Sequence, residues 1–487
     1  MTNPSALASG AQPTPTAPGR QERPTGGYRL AATILTIGLP VGVWFTPFYL
    51  EATPKHALAI ALFMIIAWVT ETLELGLTGL IGCYLFWALG VVKVDVAFSG
   101  FADDTSWLIV GAMLFGTMAA KSGLARRIAY LVLLKVGTTY SRLLLGLIMT
   151  DFLLCFVVPS GTPRVVIMAT IALGLIEAFE LGQGSNIGRG MFLILTYTAT
   201  VFDKFIIGGA ASIISRGAIE RFGHVEVLYS RWLLAFLPCD IIMILIAWRL
   251  TLWFFPPENA SLPGGVRFLR DELAKMGSWK PIEKKSIVLM LLAIALWMTD
   301  FLHHVSPSVI GLGIALLALL PWIGVLAIDD LRRLNYLQFF FVAATISLGK
   351  VLTATKGLDV LTKVMFAWIT PLIGSHYLST LVLYWTAFIY HIFLSSDLAM
   401  LGTSMPVLMN YAVTHHLNPL ALGMLWTFAG SGKLFVYQSS VMVVGYGYGY
   451  FTTKDLFRMG LALSIVSFFL LLLVVSFYWP LIGIGIS

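Results

Sequence analysis

Apolar runs recur along nearly the whole chain, from near Tyr28 to the last residue, as in Ser286 to Leu302 and Met459 to Ile486. A run of about 20 such residues crosses the hydrocarbon core of a bilayer as a helix. By that length the chain holds roughly ten to twelve of them. An anchor needs only one such run, so this many implies that the membrane domain itself performs the function. The expected fold is an all-α polytopic membrane protein with about 11 transmembrane helices. Composition supports this class: 58% of residues are hydrophobic and 11% charged, outside the balance of a soluble globular chain.

The net charge of +7, from 31 Lys and Arg against 24 Asp and Glu, sits mainly at the ends of apolar segments. It therefore carries topology, and a nucleic-acid partner is not expected. The longest polar interval, 256–285, holds Arg267, Arg270, Lys275, Lys280, Lys284 and Lys285 against Glu258, Asp271, Glu272 and Glu283. By the positive-inside rule this linker faces the cytoplasm. The N-terminal tail, residues 1–27, is expected on the same side as a disordered segment with no signal-peptide core, and the uncharged end Trp479 to Ser487 on the other. An even number of crossings before the linker and an odd number after it satisfies both. The expected location is the inner (cytoplasmic) membrane. Cys83, Cys155 and Cys239 lie in apolar surroundings without metal or disulfide spacing and read as small core residues.

The linker separates two membrane halves, 28–255 and 286–487, that share text in the same order. Trp68-Val-Thr70-Glu71 returns as Trp297-Met-Thr299-Asp300, an offset of 229 (300 − 71). Gly90-Val-Val-Lys-Val-Asp95 returns as Gly324-Val-Leu-Ala-Ile-Asp329, and Ser122-Gly123-Leu124 as Lys356-Gly357-Leu358, both at 234 (324 − 90; 357 − 123). Lys204 and Lys433 restore the offset of 229 (433 − 204). Four matches in register point to a duplication. With an odd number of crossings per copy the halves would be inverted repeats, the plan of secondary transporters with a midplane site.

Two segments do not read as simple spans. Ser141 to Glu177 has two apolar arms around Pro159-Ser160-Gly161-Thr162-Pro163-Arg164, where a helix breaks. In a bilayer, broken backbone is tolerated where protein or a water-filled cavity satisfies it, so the break points to a pathway; a tight turn outside the membrane is the alternative. The counterpart is Ile392 to Pro406, centred on Ser395, Ser396 and Asp397. An aspartate in such apolar sequence is by default a functional candidate.

Taken together, the Trp-x-Thr-Glu opening, Gly111 to Arg127 ending in Lys-Ser-Gly-Leu-Ala-Arg-Arg, the Ser-x-Thr tip and the closing Gly447-Tyr-Gly449-Tyr450, Lys454-Asp455 and Gly460 resemble the divalent anion/sodium symporter family over residues 55–485. The resemblance implies a homodimeric transporter whose two re-entrant hairpins bind substrate carboxylate and sodium and which moves as an elevator. It implies small organic anions of the di- or tricarboxylate type as substrate; a membrane-embedded enzyme would need a clustered acid, base or metal set facing a cavity, and the sequence offers none, so no enzyme activity is expected. Residues carried over as substrate-binding are Ser160, Gly161, Thr162, Arg164, Ser395, Ser396 and Asp397.

The chain departs from that pattern in ways that affect the chemistry. The first tip is Ser160-Gly161-Thr162, with hydroxyls but no amide side chain. Arg164 then either clamps a carboxylate with its planar fork or reaches to the membrane interface. The second tip, Ser396-Asp397-Leu398, exchanges an amide for an acid, so Asp397 is either protonated or paired with a cation, or the substrate is not a simple polyanion. The family's Pro-Pro-Asn turns are replaced by Gly209-Ala-Ala-Ser212 and Ser439-Ser-Val-Met442. Just ahead of them stand Lys204 and Lys433, whose ammonium groups could occupy the oxygen cages that resemblance assigns to sodium. Sodium-independent exchange or uniport is the expectation. Proton coupling through Lys433 and Asp397 stays open, and so does sodium-coupled symport, with Ser160, Thr162, Thr200, Ser212, Ser396, Ser439 and Ser440 as ligands. Lys204 also fits a local pair with Asp203, and Lys433 an interfacial lysine. His391 is an accessory candidate or a satisfied core histidine. No cofactor or metal site is expected: His303-His304 and His415-His416 read as polar helix ends. An anion channel is the alternative from another class. The glycines of Gly445 to Tyr450 are expected to permit close packing or a bend.

Overall fold

In a bilayer a backbone amide has no water to bond, so an apolar chain satisfies its own carbonyls helix by helix. The computed structural model describes residues 26–46, 51–156, 158, 160–207, 209–366, 368–372, 376–394 and 396–485, and among these the regular elements are all helical. The tail expected over 1–27 lies outside the described residues as far as residue 25.

The first series is α1 (Gly26–Phe45), α2 (Ala52–Thr70), α3 (Leu75–Ala88), the short α4 (Val94–Ala97), α5 (Asp104–Ser122), α6 (Leu124–Val136), α7 (Tyr140–Cys155), α8 (Gly161–Ala178), α9 (Asn186–Phe205), α10 (Ala210–Gly223) and α11 (Tyr229–Phe254). After α12 (Gly265–Lys275) in the polar linker, α13 (Pro281–Met298) opens a second series. It continues with α14 (Asp300–His303), α15 (Pro307–Leu319), the short α16 (Ile328–Arg332), α17 (Tyr336–Ala354), α18 (Gly357–Phe366), α19 (His376–Phe393), α20 (Asp397–Thr414), α21 (Pro419–Ala429), α22 (Ser440–Gly447) and α23 (Thr453–Leu473).

Among the described residues, five helices are long and apolar enough to cross a membrane alone: α2, α8, α11, α17 and α23 continued to Leu481. A sixth arises if α5 and α6 count together, although the chain bends by 67° between them. That bend falls at Gly123, whose φ of +79° is open to glycine without strain. Several other apolar runs are divided into shorter helices, including α3, α15, α19 and α21. Length along the sequence does not reveal where a run is interrupted, which is why an apolar count overstates the unbroken spans.

The order of elements in the first series recurs in the second. Trp68 at the end of α2 donates its Nε1–H to the Leu75 carbonyl at 3.0 Å, and Trp297 at the end of α13 donates to the Pro307 carbonyl at 3.1 Å. Packing is reciprocal: α3 lies on α17 as α15 lies on α5, and α8 meets α22 as α20 meets α10. Arg127 ties α6 to the start of α13 through a two-pronged contact with Glu283 at 2.8 and 3.1 Å and a bond to the Gly277 carbonyl. Cys83, Cys155 and Cys239 are buried and free. Gly445 packs on α9 so closely that a Cβ there would stand 2.0 Å from the Thr196 hydroxyl.

Candidate functional site

Four interruptions bring polar groups into the interior. α7 ends at Cys155 and α8 starts at Gly161; α9 ends at Phe205 and α10 starts at Ala210. In the second series α19 ends at Phe393 and α20 starts at Asp397, while α21 ends at Ala429 and α22 starts at Ser440. Pro406 stays inside α20, so this second break is confined to the stretch before Asp397. Each interruption frees amides and carbonyls that must find partners.

At the first break the partner is Arg164, whose side chain is completely buried. Its Nε donates to Asp151 Oδ1 of α7 at 2.9 Å, Nη1 to the Val158 carbonyl at 3.2 Å, and Nη2 to the Ala199 carbonyl of α9 at 2.7 Å. Nη1 also forms an ion pair with Asp203 Oδ1 at 2.7 Å. The other Asp203 oxygen accepts the Gly161 amide at 3.1 Å. Arg164 thus spends its donors on protein acceptors and joins α7, the break, α8 and α9. Its burial sets it apart from an interfacial arginine. Ser160 precedes α8 in extended conformation. A Cβ at Gly161 would lie 2.7 Å from Val441 and 2.9 Å from the Ala199 carbonyl, so the first tip presses against the start of α22.

At the second break the cations and the acid come from separate segments: Lys204 from α9, Lys433 from the loop after α21, and Asp397 from the start of α20. Lys204, the penultimate residue of α9, donates from Nζ to the Gly430 carbonyl at 2.5 Å and pairs with Asp397 Oδ2 at 3.3 Å. Lys433 donates from Nζ to the same Gly430 carbonyl at 2.6 Å and to Asp397 Oδ1. His391 of α19 brings Nε2 to 2.8 Å from that Oδ1 and 3.5 Å from the Lys433 ammonium. Both lysines and His391 are buried, and the Asp397 side chain retains 14% exposure. Asp203 is taken by Arg164, so Lys204 reaches across the molecule rather than to its sequence neighbour. Two lysine side chains and one imidazole thus face a single carboxylate.

Among the other predicted residues, Ser212 is buried and donates to the carbonyl of Ile206 at 2.6 Å, with the carbonyls of Gly209 and Asp203 also within reach. Thr200 is buried and donates to the Tyr197 carbonyl at 2.7 Å. Ser396 and Ser439 cap α20 and α22, accepting from the amides of Ala399 and Val441. Thr162 is half-buried and Ser440 exposed. Ser395 lies outside the described residues. Sequence reasoning did not single out Asp151, Gly430 or Gln438. Gln438 is buried, accepts the amides of Leu434 and Phe435 at 2.6 and 2.9 Å, and so shapes the loop that carries Lys433. The signal for Asp151 was available: it is a lone acid in the apolar helix just before a break.

The profile of the family described as sodium:sulfate symporter transmembrane region matches residues 28–484. The chain is 25% identical to a protein of Cupriavidus necator named only as a membrane protein, over 93% of this chain and 92% of that one. It is 26% identical to an L-tartrate/succinate antiporter of Shigella dysenteriae, over 79% of this chain and 80% of the relative. It is 24% identical to a sodium-dependent dicarboxylate transporter of Staphylococcus saprophyticus, over 91% and 90%. With a match that spans both helix series and all four interruptions, the chain belongs to the sodium:sulfate symporter family, the divalent anion/sodium symporters, and is a multi-pass membrane transporter.

Proposed function

We propose that this protein is a secondary transporter of small organic anions of the di- or tricarboxylate class, working as a sodium-independent exchanger or uniporter in the cytoplasmic membrane. One observation carries the reading: Lys204 and Lys433, equivalent in the two series, converge on a single backbone carbonyl, Gly430, and on the two oxygens of Asp397. Carbonyl and carboxylate oxygens gathered around a point are what a small monovalent cation requires, and the compact ammonium supplies that charge with its own donors. A built-in cation stays through every step of a transport cycle, whereas a sodium ion binds and leaves. The relatives span both behaviours, an antiporter and a sodium-dependent transporter.

Substrate carboxylate would bind between the two tips, at Ser160, Gly161, Thr162, Ser396 and the lysine cluster, with Asp397 holding the lysines in place. The reciprocal packing of the two series supports inverted repeats. Six crossings (α1, α2, α3, α5, α9 with α10, and α11) would precede the linker and five (α13, α15, α17, α21 with α22, and α23) would follow it, with α7–α8 and α19–α20 as re-entrant hairpins. Linker and N-terminus then share the cytoplasmic side. Elevator-like movement and a homodimer complete the proposal, both by kinship with the family.

The test is uptake of labelled succinate, citrate and tartrate into proteoliposomes with and without a sodium gradient, for the parent and for Lys433→Gly. The expected result is sodium-independent exchange in the parent that is lost, or becomes sodium-dependent, in the variant. Strict sodium dependence in the parent would overturn the built-in-cation reading and leave an ordinary symporter.

A further inference from the structure

The most anomalous buried group lies outside both clusters, in the middle of α11. Asp240 has no solvent exposure, and neither of its carboxylate oxygens has a hydrogen-bond partner among the described residues. α11 is a 26-residue apolar helix long enough to cross a bilayer. An ionised carboxylate in such surroundings, without a cation or a donor, is among the most unfavourable arrangements a protein can hold.

The surroundings satisfy other polar groups with care. Pro238, two residues earlier, cannot donate to the Leu234 carbonyl, which accepts the Tyr478 hydroxyl at 3.0 Å instead, and the next carbonyl, Ala235, accepts the Trp479 indole at 3.1 Å. None of the titratable groups on the elements packed against α11 is a hydrogen-bond partner of Asp240 among the described residues. Asp151 of α7 and Asp203 of α9 hold Arg164, and Lys204 holds Asp397 and Gly430. Asp300 of α14 accepts from Tyr229 and Ser230. α13 contributes Glu283, bound to Arg127, with Lys284 and Lys285. Arg142, Arg189, Lys454, Asp455 and Arg458 belong to the helix ends that meet the linker side. α11 packs on α7, which ends at the first break, and on α9, which carries Asp203 and Lys204. Asp240 therefore lies on the helix that backs both. On the same buried stripe of α11, Trp232 donates to the Lys204 carbonyl at 3.0 Å.

We infer that Asp240 is a proton-binding site: it carries a proton in the conformation described here and exchanges that proton with water when α11 and the first tip change position. The step is a proton taken up by a carboxylate to give a neutral carboxylic acid, and its release on the other side of the cycle. Transport would then be proton-linked through a group distinct from the lysine cluster. A neutral acid with no partner is tolerable in a dry site, and it is the ionised form that needs another conformation with water beside it.

The test uses the full-length protein in lipid. An infrared difference spectrum, parent minus Asp240→Asn, is expected to contain the carbonyl stretch of a protonated carboxyl group, shifted when H2O is replaced by D2O. No such band would mean an ionised Asp240, and a band untouched by D2O would mean a proton that never leaves; either result overturns the inference. These spectra need no substrate, so they stand whether or not succinate is carried. In proteoliposomes with an internal pH dye, succinate movement in the parent is expected to carry protons. In Asp240→Asn, succinate counterflow should persist while the proton signal is lost. Equal proton signals in both proteins would overturn the inference. If Asp240→Asn does not fold, Asp240→Glu is expected to keep the D2O-sensitive band at a displaced frequency, and its absence there counts against the site.

Discussion

Replacing Arg164 with methionine removes a guanidinium of similar length from a site with no solvent exposure. Two carboxylates lose their counter-ion, Asp151 with a side chain 1% exposed and Asp203 with one 15% exposed. The carbonyls of Val158 and Ala199 lose a donor each. Breaking one buried ion pair by removing a partner destabilises a protein by about 3–5 kcal/mol, and a buried acceptor left without a donor adds about 1–3 kcal/mol. Proton uptake by the aspartates limits the first of these contributions, so we expect a loss on the order of 5 kcal/mol, comparable to the whole stability of many domains. Arg164→Lys keeps a charge but not the fork, and should lose about 2 kcal/mol. The assay is recovery of monodisperse protein in detergent and its thermal midpoint, with Arg164→Met/Asp151→Asn expected to recover part of the loss. An Arg164→Met protein that folds and melts like the parent while losing substrate binding would refute the argument and make Arg164 a substrate clamp.

Gly460→Ala places a Cβ 1.8 Å from the Lys433 carbonyl, so either α23 or the lysine loop must move; we expect uptake to fall at least tenfold with a loss of about 1–3 kcal/mol in stability, and wild-type uptake would contradict this. Trp68→Phe and Trp297→Phe each delete one indole-to-carbonyl bond, worth about 1 kcal/mol apiece, and thermal melts should show similar drops for the two. Asp103→Asn leaves Arg221 and Lys350, which now share that carboxylate, as two facing cations; a loss of about 2 kcal/mol should appear as a lower thermal midpoint, and an unchanged one would show the pair to be idle.

The helical class was legible because an apolar chain in a bilayer has few other choices. Two of the four breaks were legible too: Pro159 and Pro163 bracket the first, and the one before α20 announces itself by serines and an acid in apolar sequence. What the sequence concealed was partnership. Arg164 reads equally as a clamp or an interfacial residue until α7 and α9 are folded around it, since Asp151 lies 13 residues away and Asp203 39 (164 − 151; 203 − 164). Lys204 has an acid beside it in sequence, yet that acid serves Arg164. Gly430 is invisible to any reading of side chains, because what it contributes is a carbonyl left free where α21 ends.

The neighbouring pair Asp203-Lys204 joins these separate facts into one mechanical statement. Asp203 accepts the Gly161 amide and binds Arg164, which fixes the first tip. Lys204, the next residue, binds Asp397 and Gly430, which fixes the second tip and the end of α21. A displacement of either tip relative to the end of α9 would separate a buried charge from its partner, and that is far more unfavourable than sliding one apolar helix face over another. The tips, the end of α9 and the Lys433 loop should therefore move together, and any large motion should occur where the contacts are apolar. α5, α15 and α17 offer such faces around Leu108, Ile314 and Val342. Crosslinks placed between the first tip and the end of α9 are therefore expected to leave transport intact, and transport lost through such a crosslink would refute this reading.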